Sequence, residues 1–136
     1  MTNRDALLAA ASGFAPELER RAPEFEQARR LPADLARRLA EARLFAMLVP
    51  QAYGGVETDP LTMVETIERL AIADGSAAWC VFIGVTSGLV AAYLPPHVAR
   101  EIFADPATIA GGVFAPRGRA AQSPARQTQT PEALRP

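Results

Sequence analysis

Few side chains in this 136-residue sequence have the type and spacing to do chemistry. His97 is the single histidine. With no second His or Cys at ligand spacing it supports no metal site, and in the first turn after Pro95-Pro96 it reads as exposed and without a role. Cys80 is the single cysteine. Placed in an apolar run, it reads as buried and inert rather than as an activated nucleophile. Gly54-Gly55 marks a turn, since no GxGxxG frame or phosphate loop surrounds it. Trp79 and Ser87 are eight residues apart, about two helical turns, which places them on one face of a helix. On residue type alone Trp79 reads as a core aromatic. Ser87, with Thr86 as a weaker neighbour, reads as a hydroxyl bonded to the preceding turn. Gly111-Gly112 before Val113-Phe114 would let main chain approach another surface closely; the plainer reading is an ordinary strand. General acid–base work needs a positioned group with a tuned pKa, and no such constellation is visible, so no catalytic residue is named.

These candidates sit on or beside one stretch, Asp74 to Pro96. It opens on a cap signal, Asp74-Gly75-Ser76, closes on Pro95-Pro96, and carries no charge from Ala77 to Leu94. As a helix that uncharged run would reach roughly 27 Å, borderline for crossing a bilayer. Gly84, Thr86, Ser87 and Gly88 dilute it, and no basic cluster flanks it. A fully buried core helix is the preferred reading, with a membrane span and a buried strand pair left open.

Amphipathic helices surround that run. Residues 4–29 place Leu7, Ala11, Phe14, Leu18, Ala22 and Phe25 on one face, with Pro16 and Pro23 expected to kink or split the segment. After Leu31-Pro32 a second helix with Leu35, Leu39 and Ala42 inward should end near Arg43. Residues 44–55 read as a buried loop and turn. Asp59-Pro60 starts a third helix, with Leu61, Val64, Ile67, Leu70 and Ala71 expected inward. A short helix from Pro95-Pro96 to Phe103 should bury Val98, Ile102 and Phe103. Thr108 to Phe114 is the one strand candidate, and the polar, proline-bearing stretch 120–136 reads as disordered.

Composition narrows the function classes. Hydrophobic residues at 49% and charged residues at 21% describe a globular chain. A net charge of −1 offers no electrostatic case for nucleic acid or an anionic membrane. A lone cysteine and an N-terminus without a long apolar segment fit a reducing, cytoplasmic setting.

The ordered segments LPADLARRLAEARLF, VPQAYGG, DPLTMVETIERLAIADGSAAW, LPPHVAREIF and GGVFAPRGRA, within residues 31–118, resemble the N-terminal helical domain of the acyl-CoA dehydrogenase-like flavoenzyme superfamily. Arg43 stands where that family often has glycine. The Thr-Glu and Ser-Asp pairs of the dehydrogenases are absent from Phe114-Ala115-Pro116-Arg117-Gly118. The GSAAW run with Trp79 is more similar to the two-component flavin-dependent monooxygenases, and the dehydrogenases remain the alternative. A non-enzymatic helical module that pairs with another chain is the rival from a different class.

The resemblance implies an all-α domain over 1–106 and the first strand of a middle β domain over 107–119, with the tail read from composition as disordered over 120–136. It implies FAD or FMN, a partner flavin reductase and a homo-tetramer in the full-length family. It also implies flavin contacts at Trp79, Gly112, Val113 and Phe114, and a substrate-facing hydroxyl at Ser87. Residues from Ala120 on depart from the family pattern, and truncation or a frame change is the expectation there. A chain lacking the other domains should bind flavin weakly and could self-associate through uncovered apolar surface.

Overall fold

The structure, a computed structural model, describes residues 2–112. Its helices are α1 (Asn3–Ala28), α2 (Ala33–Glu41), α3 (Pro60–Ala73), α4 (Gly75–Gly88) and α5 (Pro96–Ile102). Short 3-10 turns lie at Leu44–Ala46, Gln51–Tyr53 and Leu89–Tyr93. The described residues are thus all-α, as expected. Residues 108–112 take no regular structure, and Val113, Phe114 and the stretch 120–136 lie outside the described residues. The described part of the expected strand, 108–112, therefore forms no strand, and its described neighbours are helices that offer no edge to pair with.

A capping box opens α1: Thr2 Oγ1 accepts from the Asp5 amide at 3.2 Å, and Asp5 accepts from the Thr2 amide at 3.0 Å. Leu7, Leu8, Ala11, Leu18 and Phe25 form its buried face, against α3. The helix continues through Pro16 and Pro23, so the prolines do not split it. Both prolines are exposed, as are Ser12 and Glu19 four residues before them. The carbonyls left without a donor thus face water, while the buried side keeps the helix whole.

Arg21 joins α1 to α2. Its guanidinium donates to Asp34 at 2.7 Å, Glu24 at 2.7 Å and Glu17 at 3.1 Å, and Arg38 donates to Glu17 at 2.8 Å. α2 ends at Glu41, as its sequence indicates. Arg43 follows in the left-handed region at φ 66°, the conformation that explains a glycine preference there. The chain then buries Leu44, Phe45, Met47 and Val49 in the loop read from the sequence. Amides of Val56, Glu57 and Thr58 donate back to the carbonyls of Ala46, Val49 and Met47. A Cβ on Gly55 would overlap the Val49 carbonyl, which fixes glycine at that position.

The inward face of α3 differs from the expected one. Thr62, Met63, Thr66 and Leu70 are buried, while Leu61 is 65% and Val64 53% exposed. The helix packs against both α1 and α4, and Thr62 and Thr66 lie on its covered side. Thr66 donates to the Thr62 carbonyl at 2.7 Å and Thr62 to Asp59 at 2.6 Å. Hydroxyls satisfied inside their own helix can be buried at little cost.

Asp74 ends α3 and caps α4, accepting from the Ala77 amide at 2.6 Å. α4 was expected to be fully buried, and only one side of it is. Ala77, Ala78, Val81, Gly84, Val85 and Gly88 are covered, but Trp79 and Cys80 are exposed. The Gly75–Tyr93 stretch is long and apolar enough to cross a membrane by length and composition, with 39% of its most apolar window buried in the fold. The covered side is the small-residue side. A Cβ on Gly84 would run into the Phe45 ring, and one on Gly88 would stand 3.0 Å from Val49 Cγ2. α5 likewise buries Ala99 rather than Ile102, which is 45% exposed. In both helices small residues permit the close approach, so larger side chains are turned outward.

Candidate functional site

The C-terminal half of α4, the 3-10 turn after it, α5 and residues 110–112 enclose a cleft of about 330 Å³. Thr86, Ser87, Val90, Ala91, Leu94, Ile102, Phe103, Ala110, Gly111 and Gly112 line it. Pro95-Pro96 leads into α5, which brings Ile102 and Phe103 to the lining. The last described residues, 110–112, complete it.

Two hydroxyls reach this cleft, and they differ in kind. Thr86 donates to the Phe82 carbonyl at 2.9 Å, so it is engaged by its own helix. Ser87 makes no side-chain hydrogen bond among the described residues, which leaves its hydroxyl available as both donor and acceptor. Gly112 passes directly above it. A Cβ at Gly112 would stand 3.0 Å from Ser87 Oγ, so a side chain there would crowd the hydroxyl. The described part of the cleft therefore has apolar walls, one available hydroxyl and a bare stretch of main chain. It can bind and orient a largely apolar ligand. No lining side chain is ionisable, so the described walls contribute neither a general acid nor a general base.

Trp79 lies elsewhere. Eight residues advance a helix by about 12 Å and turn it about 80° past whole turns. That is enough to separate the indole from Ser87. Trp79 lines a second cleft of about 370 Å³ with Phe25, Glu26, Arg29, Arg30, Leu31, Ser76, Ala77 and Cys80. The residue is 62% exposed, and its ring is tilted 37° against Phe82 at 5.8 Å. The structure thus brings Ser87 and Gly112 together and does not bring Trp79 to them. Val113 and Phe114 lie outside the described residues.

Cys80, expected to be buried, is exposed in that second cleft. Partial burial and then the nearby Asp74 carboxylate push its thiol pKa up, the direction opposite to a reactive thiolate. His97 is exposed. No group of three or more His, Cys, Asp or Glu residues among those described could hold a metal ion. Sequence reasoning missed the walls supplied by Leu94 and Ala110 and the arginine pair beside Trp79. The available signals were the Pro95-Pro96 reversal and the adjacency of Arg29-Arg30 to a helix end.

Residues 2–99 match the family described as acyl-CoA dehydrogenase, N-terminal domain. The chain is similar to an indole-3-acetate monooxygenase of Pseudomonas putida, 36% identical over 96 residues, which is 69% of this chain and 24% of that protein. It is 34% identical over 118 residues to the flavin-dependent monooxygenase oxygenase subunit HsaA of Mycobacterium tuberculosis, 85% of this chain and 30% of that one. A pigment production hydroxylase of Rhodococcus erythropolis is 31% identical over 96 residues, 70% and 24% of the two chains. The chain thus spans about a quarter to a third of the length of the curated relatives it matches. With nearly all of the described helical domain inside the matched residues, the chain belongs to the acyl-CoA dehydrogenase family through that family's N-terminal domain, and flavin-dependent monooxygenase subunits are among its relatives.

Proposed function

We propose that this chain supplies one wall of the flavin and substrate pocket of a flavin-dependent monooxygenase, by likeness to the relatives so named. The observation that carries the reading is the pairing of Ser87 with Gly112. A free hydroxyl lies beneath main chain that a Cβ would crowd, inside an apolar cleft. Those residues fit one edge of a flat heteroaromatic cofactor: Gly112 leaves room for close approach, and Val90, Leu94 and Ile102 supply apolar walls. Bound reduced flavin, FAD or FMN, would supply the electrons with which dioxygen hydroxylates a substrate.

Ser87 would hydrogen-bond and orient the substrate. Val113 and Phe114 are proposed as continuing the flavin-side segment, and Trp79 as a separate contact at the other end of α4. The whole protein would act as an oxygenase component served by a flavin reductase, assemble as a homo-tetramer and work in the cytoplasm. The family's own description supports acyl-CoA dehydrogenation as the alternative.

Replacing the matching segment of an HsaA-type oxygenase with residues 2–112 tests the reading. Reductase-coupled hydroxylation should survive, and Ser87→Ala should raise substrate KM about tenfold with little change in kcat. A folded, flavin-loaded chimera that does not hydroxylate, or is bleached anaerobically by an acyl-CoA, overturns it. The 136-residue chain alone should bind FMN and FAD weakly or not at all by fluorescence titration, and micromolar binding contradicts that.

A further inference from the structure

The second cleft holds Arg29 and Arg30, which the contact proposed above for Trp79 does not use. Arg29 and Arg30 line it beside the exposed indole of Trp79. Neither arginine forms an ion pair among the described residues, whereas Arg4, Arg21 and Arg38 each hold a carboxylate. Arg29 caps the end of α1 in the left-handed region at φ 51°, so its backbone is held at the rim. Phe25, Leu31 and Ala77 supply an apolar floor, and Glu26 is the one acid on the wall. The charge of the lining is therefore positive by one, two arginines against one glutamate. Nearby Asp74 does not line the cleft, and its carboxylate is engaged by Ser76 and the Ala77 amide at 2.6 Å.

We propose that this cleft binds a planar aromatic anion, with its ring on Trp79 and its carboxylate or phosphate on Arg29 and Arg30. An indole face suits a flat ring. Guanidinium forks suit two-oxygen acceptors, and such charge-assisted bonds are the strong ones. A volume of about 370 Å³ lies in the range of small-molecule sites.

Two residues of the lining are unique reporters, since the chain has one Trp and one Cys. The test uses the full chain with 2-naphthoate, 2-naphthyl phosphate and neutral 2-naphthalenemethanol. Both anions should quench Trp79 fluorescence saturably and slow alkylation of Cys80 by N-ethylmaleimide. The neutral alcohol should bind at least tenfold more weakly, and R29Q/R30Q should weaken both anions by a similar factor. Preference for one anion over the other identifies whether carboxylate or phosphate is the natural group. R20Q/R37Q, which changes exposed arginines outside this cleft, serves as the charge control. No saturable quenching, equal binding of the alcohol, or equal losses in the two double variants would each overturn the site. Hydroxylation by the chimera fails independently of these readouts, so the two proposals are separable.

Discussion

Individual positions in this domain are set by contact geometry more than by residue class. Gly55 and Arg43 show this from opposite sides. Gly55 has ordinary backbone but no room, because the Val49 carbonyl occupies the place of a side chain. Arg43 has room but the wrong backbone for a residue with a Cβ, at φ 66°. Gly55→Ala should therefore lose about 3 kcal/mol, and Arg43→Gly should gain about 1 kcal/mol, both read from urea unfolding midpoints. A neutral or stabilised Gly55→Ala would show that the 46–58 loop packs differently. Cys80 illustrates electrostatics at the same scale. Burial raises its pKa first and Asp74 second, so Asp74→Asn, which keeps a capping oxygen, should speed alkylation of Cys80 at pH 8. An unchanged rate would separate the thiol from that carboxylate.

At the scale of elements, caps and ion pairs hold helices whose faces the packing chose. Asp59 caps α3 and Asp74 caps α4 through amide bonds of 2.9 Å and 2.6 Å. Asp59→Ala should cost about 1 kcal/mol, and a change below a few tenths in thermal or urea unfolding would contradict the cap. The link between α1 and α2 titrates. Hydrogen bonds from Arg21 hold Asp34 and Glu24 below their ordinary values of 3.8 and 4.5. For Glu17 burial pushes upward, but the bonds from Arg21 and Arg38 outweigh it and its pKa is lowered too. Groups with depressed folded pKa stabilise above the unfolded value and lose that contribution as pH falls through the folded one. The domain should thus lose stability below about pH 4.5, the ordinary Glu value. Arg21→Gln should flatten that acid limb while leaving the shape of the curve near neutrality; an acid limb identical to wild type would remove the link from the account. These carboxylates are solvent-facing, so salt should weaken the effect.

Taken whole, the described domain leaves a large apolar surface open. Leu61, Val64 and Ile72 on α3, and Trp79, Leu89, Val90 and Tyr93 on and after α4, are all exposed. Scattered apolar residues are ordinary on a surface, but several on adjoining helices form the kind of patch that marks an interface. The isolated chain should self-associate with rising concentration in size-exclusion chromatography, and Val64→Glu with Ile72→Glu should shift it toward monomer. A clean monomer at every concentration would argue against the self-association expected from the sequence and against a non-enzymatic pairing module.

The sequence by itself determined the all-α class, the ends of the helices and the buried 44–49 loop. These are local matters: Asp59-Pro60, Asp74-Gly75-Ser76, Leu31-Pro32 and Pro95-Pro96 act on neighbouring backbone groups whatever the rest of the chain does. The ordered motifs also carried the family. Which face each helix buries was decided only by tertiary structure. Thr62 and Thr66 went inside because their hydroxyls are satisfied within α3, and Leu61 and Val64 stayed outside because α1 and α4 approach from other directions. The candidate site divided for the same reason. Spacing put Trp79 and Ser87 near one face of α4, yet their clefts are built by what packs around that helix: the α1–α2 junction near Trp79, and α5 with residues 110–112 near Ser87. Helical periodicity fixes a side chain's direction from its own axis, whereas a pocket needs a second element in place, and that placement is a long-range property of the packed chain.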